Sequence, residues 1–239
     1  MAGWTCLATL LACLAGLGSA TAEEVRFGTT VFPPYAKMKN GEIVGPAIDV
    51  LARVARKAGL EPVFPVMPAK RIAYELLAGR IDIWPAPVSA ELADQVIVGD
   101  VVSTIGVSIV WRAGTPPLTD FGGLAGGRLI ANYGYSYLDV RDRLAALDPP
   151  VEIIDVSDLG QVPGLLDAGR ARYVLVYDSM LADPILATGP RFERLPLRKA
   201  DFRFLAARSN PHGQELVDRL DAAYRALPPE LRFNAQWPQ

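Results

Sequence analysis

Between Val25 and Val88 the spacing of apolar positions changes repeatedly, and each change marks an element. Val25 to Thr30 reads as a short strand, and it runs into an aromatic-proline loop, Phe32-Pro33-Pro34-Tyr35. After Pro46 the apolar residues Ile48, Leu51, Ala52 and Ala55 recur at helical spacing, while Arg53, Arg56 and Lys57 fall on other faces. Gly59 supplies a stop. A second strand before Met67, a helix from Arg71 to Arg80 and a third strand, Ile81 to Trp84, complete a βαβαβ order. That order builds a parallel sheet whose ligand edge lies at the strand C-termini.

The second half repeats the plan. Arg128 to Gly134 reads as a strand, Tyr135 to Leu147 as a helix ended by Pro149-Pro150, and Val151 to Val156 as a strand. Asp158 to Arg170 follows as a broken helix and Ala171 to Asp178 as a buried strand, with a further helix from Ser179. Leu76-Leu77-Ala78-Gly79-Arg80 precedes one strand, and Leu165-Leu166-Asp167-Ala168-Gly169-Arg170 precedes another, so two similar α/β lobes are expected. The Gly- and Pro-rich stretch 113–127 reads as the first passage between them, and 195–201 as the second. An amphipathic helix, His212 to Leu227, would then return to the first lobe.

A chain of 239 residues with 51% apolar content can bury one or two cores, and a net charge of -2 gives no electrostatic case for nucleic acid. The apolar run before Ala20-x-Ala22 reads as a secretory signal over residues 1–22, cleaved before Glu23. Retention as an anchor, or acylation at Cys13, are its alternatives. Both cysteines, Cys6 and Cys13, lie in that run, so the mature protein carries no disulfide, thiolate or cysteine-based zinc site. The single histidine, His212, stands far from any nucleophile, and no hydrolase, zinc-protease or phosphate-loop motif occurs. No catalytic residue, metal or cofactor is expected.

The stretch Val25 to Val88 resembles the opening of the bacterial periplasmic solute-binding proteins of extracellular family 3, which deliver polar amino acids to ABC transporters. The resemblance extends over nearly all of the mature chain. It implies a two-lobed (type II) periplasmic binding protein fold, each lobe a mostly parallel sheet flanked by helices, with two hinge crossings. Residues 23–112 and 198–239 would form lobe 1 and 113–197 lobe 2. It also implies a periplasmic, monomeric protein that holds a small molecule in the interlobe cleft and works with an ABC transporter permease.

Candidate site residues follow the strand ends. The resemblance implies that Phe32 stacks on the ligand, with Tyr35 beside it; sealing the sheet edge is their alternative role. Trp84 is either a cleft wall or a buried ring. The resemblance implies that the stretch Gly134 to Tyr137 binds a ligand carboxylate, with the amides of Gly134, Tyr135 and Ser136 as the anion site, although Ser136-x-x-Asp139 also fits a helix capping box. Asp178 matches the acidic residue that receives an amino group; its alternative is an N-cap. Amino-acid binders carry an acidic residue where this chain has Thr30 and an arginine near Ala93-Asp94, so Arg71 becomes the candidate anion partner, with a solvent-facing position as its alternative. The expected ligand is a small polar or anionic organic molecule. A cyclohexadienyl dehydratase-like enzyme and a ligand-presenting sensory protein are the alternatives.

Overall fold

The computed structural model describes residues 22–135, 137–182 and 191–233. The proposed signal segment, apart from Ala22, lies outside these residues, as do Ser136 and the second half of the helix expected after Asp178.

Strand β1 (Glu23–Arg26) pairs in parallel with β4 (Leu60–Val63), in register Glu23 to Leu60. The helix between them, α1 (Pro46–Lys57), buries Ile48, Val50, Leu51, Val54 and Ala55 along one face. Helix α2 (Ala69–Leu77) buries Ile72 and Leu76, and it lies so close to the first strand that a Cβ on Gly28 would meet Ile72 Cγ2 at 2.3 Å. Phe27 bridges Ile83 in parallel, which completes the βαβαβ order. One element went unforeseen between β1 and α1. β2 (Lys37–Lys39) and β3 (Glu42–Val44) form a hairpin around Asn40-Gly41, both at positive φ, as a two-residue hairpin turn requires.

The paired glycine motifs close their helices alike. After α2 the Gly79 and Arg80 N–H groups donate to the Leu76 and Glu75 carbonyls at 3.0 and 2.9 Å. After α4 (Val162–Asp167) the Gly169 and Arg170 N–H groups donate to Leu166 and Leu165 at the same distances. Both glycines have positive φ, so the repeated sequence is a repeated helix C-cap that delivers the chain to its next strand.

Two long strands hold the molecule together. β6 (Val96–Arg112) and β10 (Phe192–Ala207) pair antiparallel from Val96 opposite Ala207 to Arg112 opposite Phe192. With β5 (Trp84–Ala86), β7 (Arg128–Asn132), β8 (Glu152–Val156) and β9 (Tyr173–Tyr177) they give one sheet, ordered β5-β10-β6-β9-β7-β8. At one end of β10, Phe204 and Ala206 enter one core while Leu205 and Ala207 enter another, because alternate side chains face opposite sides of a sheet. The second lobe has its own core, built on Ile105 to Trp111 of β6 and on β7 and β9. Leu118 and Leu124, from the stretch expected to link the lobes, already lie inside that second core. Along β6 the buried residues change from one core to the other between Val102 and Ile105.

Helix α5 (Gly213–Arg225) covers β6 and β10 of the first lobe, with His212 exposed as its N-cap. Its Asp221 is 5% exposed, accepts the Asp100 N–H at 2.8 Å through Oδ2, and leaves Oδ1 buried without a partner among the described residues. Burial raises its pKa; the Asp100 and Asp218 carboxylates add to that, and the Asp100 N–H and Arg225 oppose it. A raised folded-state pKa favours folding while the group is protonated, and that contribution is lost as pH climbs above the ordinary carboxylate range near ~4. Asp221→Asn should therefore melt a few degrees higher than wild type at pH 7, an advantage gone at pH 4. Thermal melts at the two pH values check this, and a lower melt at pH 7 would show that the carboxylate's bond to Asp100 outweighs its burial.

Candidate functional site

The two lobes meet at the ends of β1, β7 and β9. Beyond β1, Thr29 bridges Val66, and the chain then turns through the aromatic-proline loop. Reciprocal bonds between Phe32 and Ala36, at 2.7 and 2.9 Å, close that loop and fix both its rings. Phe32 is half-buried and packs against the cores of both lobes, whereas Tyr35 is 2% exposed.

From the second lobe come Tyr135, Tyr137 and Tyr177. The Phe32 ring centroid lies 5.4 Å from Tyr135 and 5.2 Å from Tyr177, and Tyr177 stacks on Tyr137 at 4.9 Å. Edge-to-face and offset geometries of this kind are the favoured ones for aromatic pairs. Two hydroxyls cross between the lobes in opposite directions. Tyr35 donates to the Ser179 carbonyl at 3.0 Å, and Tyr135 donates to the Val31 carbonyl at 3.3 Å. Burial pushes the Tyr135 hydroxyl up to about 12 and raises those of Tyr35 and Tyr137, so all three stay protonated at neutral pH.

Asp178 stands between Tyr177 and Ser179, half-buried at the end of β9. The Ser108 hydroxyl donates to its Oδ1. Its Oδ2 presses on β6 at Gly106, where a Cβ would sit 2.0 Å away. Only glycine leaves room for the carboxylate at that point. Among the described residues no lysine or arginine pairs with Asp178.

The other expected residues lie elsewhere or differ in setting. Arg71 is on the first turn of α2 with 68% of its side chain exposed, held by Glu75, which also pairs with Arg80. Trp84 packs with Met67, Ala73 and Leu77 on a separate core of the first lobe. Gly134 is exposed at φ 80 with open space around it. The helix expected from Tyr135 is short: α3 covers Val140–Ala145, after Tyr137 and Leu138 at positive φ. Asp139 is its N-cap residue but makes no capping bond; its carboxylate pairs with Arg198 at 2.7 Å. Helix α3 thus starts four to six residues after Gly134 to Ser136.

Sequence reasoning missed Tyr177, Ser108 and Gly106, and marked Tyr137 only as the end of the carboxylate-binding stretch. Tyr177 had a legible signal, since it directly precedes Asp178 at a strand end. Ser108 and Gly106 had none, lying about 70 residues from the carboxylate they serve.

From Val25 to Asn234 the sequence matches the bacterial extracellular solute-binding proteins, family 3. The chain belongs to this family. No curated protein sequence matches it. Among solved structures it is similar to an ancestral arginine-binding protein bound to arginine, at 22% identity, over 84% of this chain and 91% of that one, with a TM-score of 0.67. A truncated arginine-bound form of the arginine-binding protein from T. maritima aligns at 20% identity over 86% and 96%, with a TM-score of 0.65. A putative L-cystine ABC transporter protein from Listeria monocytogenes aligns at 18% over 85% and 89%, with a TM-score of 0.66. At these identities the likeness establishes the two-lobed binding-protein fold, and family membership carries the solute-binding role.

Proposed function

We propose that this chain is a periplasmic binding protein that captures one small organic solute between its lobes and presents it to an ABC transporter permease. The single observation carrying the reading is that aromatic residues of both lobes, Phe32 and Tyr35 with Tyr135 and Tyr177, converge where Asp178 ends a strand. Binding sites of α/β sheets lie at such C-terminal edges, and a mostly apolar lining with a few fixed polar groups suits a small molecule. The lobes divide within β6 and β10, near 103–106 and 199–202, where register shifts at Pro196/Arg198 and Phe202/Arg203 flank the crossing. Arg71 and Trp84 are left out of the proposed site, since one is exposed and ion-paired and the other packs into a different core.

A thermal-shift panel of amino acids, small amines and small carboxylates tests this. A solute that binds the folded chain and not the unfolded one adds about 2.7 kcal/mol at a hundredfold excess over its dissociation constant. For this size that is a rise of roughly 5 to 11 °C. No shift with any compound would defeat the reading. Formation of an aromatic product from prephenate or arogenate would replace it with catalysis.

A further inference from the structure

We infer that the solute is an organic amine without a carboxylate, an inference that rests on the solute-binding reading above. The charge inventory of the site is one-sided. Asp178 is half-buried, takes one hydroxyl from Ser108, and has no cationic partner among the described residues. A carboxylate withdrawn from water gains most from a positive charge brought to it, because the desolvation is already incurred. The surrounding rings favour the same sign, since aromatic faces are electron-rich and attract ammonium and guanidinium groups.

The nearby cations are committed elsewhere. Arg141 lies 5.7 Å from the Tyr137 ring centroid but pairs with Asp155 and donates to the Asn132 carbonyl. Arg198 pairs with Asp139, and Arg71 with Glu75. The Tyr35 and Tyr135 hydroxyls donate to the Ser179 and Val31 carbonyls, and the Tyr137 hydroxyl accepts the Asn132 N–H. Asn132 Oδ1 and Ser179 Oγ, at the ends of β7 and β9, are buried without hydrogen-bond partners among the described residues, and both can accept from N–H. Among the described residues the orphaned donors close by are Arg141 Nε and the same Ser179 hydroxyl, which can donate as well as accept. A ligand carboxylate placed here would meet Asp178 and ring faces with no counter-charge, and that rejection is what separates an amine from its parent amino acid.

Matched pairs that differ by the carboxylate alone test the inference: agmatine against arginine, and tyramine against tyrosine, by calorimetry on the full mature protein. The amine should bind at least tenfold tighter than its amino acid in at least one pair. Asp178→Asn, which keeps an acceptor for Ser108, should bring the two to parity with little change in melting temperature. Raising the salt concentration should weaken the amine in the wild type, a readout that needs no variant. Equal or tighter binding of the amino acid, an amine preference that survives Asp178→Asn, or selective binding of a dicarboxylate such as glutarate would each overturn the inference and leave solute binding standing. Silence of amines, amino acids and carboxylates together would instead remove the solute-binding reading on which it rests.

Discussion

Alanine at position 45 should destabilise this protein more than an ordinary surface substitution, by about 2 to 6 kcal/mol. Gly45 sits at φ 137 and ψ 172, a region that is essentially closed to residues with a Cβ. A Cβ there would also lie 2.4 Å from the Tyr35 carbonyl oxygen and 2.8 Å from its carbon, which are backbone atoms and cannot swing aside. The two costs add because one is torsional and the other is a clash. Melting temperature should fall by roughly 4 to 24 °C, given about 2 to 4 °C per kcal/mol at this size. Gly41→Ala is the control: its φ of 85 is also positive, but nothing stands within 4 Å, so only the torsional cost of ~1–2 kcal/mol applies. If the two variants melted together, the contact with Tyr35 would carry no weight. Since the same Tyr35 carbonyl accepts the Ala47 N–H at 3.1 Å, displacing it moves the aromatic loop, and solute affinity should fall along with stability.

Gly106→Ala should separate binding from stability in the opposite sense. The new Cβ would stand 2.0 Å from Asp178 Oδ2 and 2.7 Å from its Cγ, so the carboxylate must rotate off Ser108. The displaced atoms are the end of a side chain, and the fold can yield at a cost of about 1 to 3 kcal/mol. Solute affinity should drop at least tenfold, because the charge that is proposed to hold the solute is moved. Calorimetry with the solute found in the thermal-shift panel, set beside a thermal melt, reads both quantities. Full affinity in the variant would take Asp178 out of the site.

The aromatic cluster was only half legible in the sequence. Phe32 and Tyr35 were marked by the prolines between them, and Tyr135 by its place after a strand. The partner of Arg71 was legible in the sequence: Glu75 is four residues on, the spacing at which helical side chains meet. Tyr137 and Tyr177 stack only because β7 and β9 are adjacent in the sheet, a pairing of residues about 40 positions apart.

By itself the sequence determined the local elements: the βαβαβ order, the amphipathic faces of α1 and α2, and the twin helix caps at Gly79 and Gly169, all set by side-chain period and backbone freedom within a few residues. The tertiary structure decided what depended on distant partners. β6 carries Gly99 and Gly106 inside a strand, where glycine ordinarily signals a break. Each is there because an aspartate, Asp221 in one case and Asp178 in the other, presses on the backbone from across the fold. The burial pattern of β6 changes halfway along because it leaves one core for another. The pairing of Arg141 with Asp155 and of Arg198 with Asp139 was decided the same way, because partners so far apart in sequence leave no periodic trace along the chain.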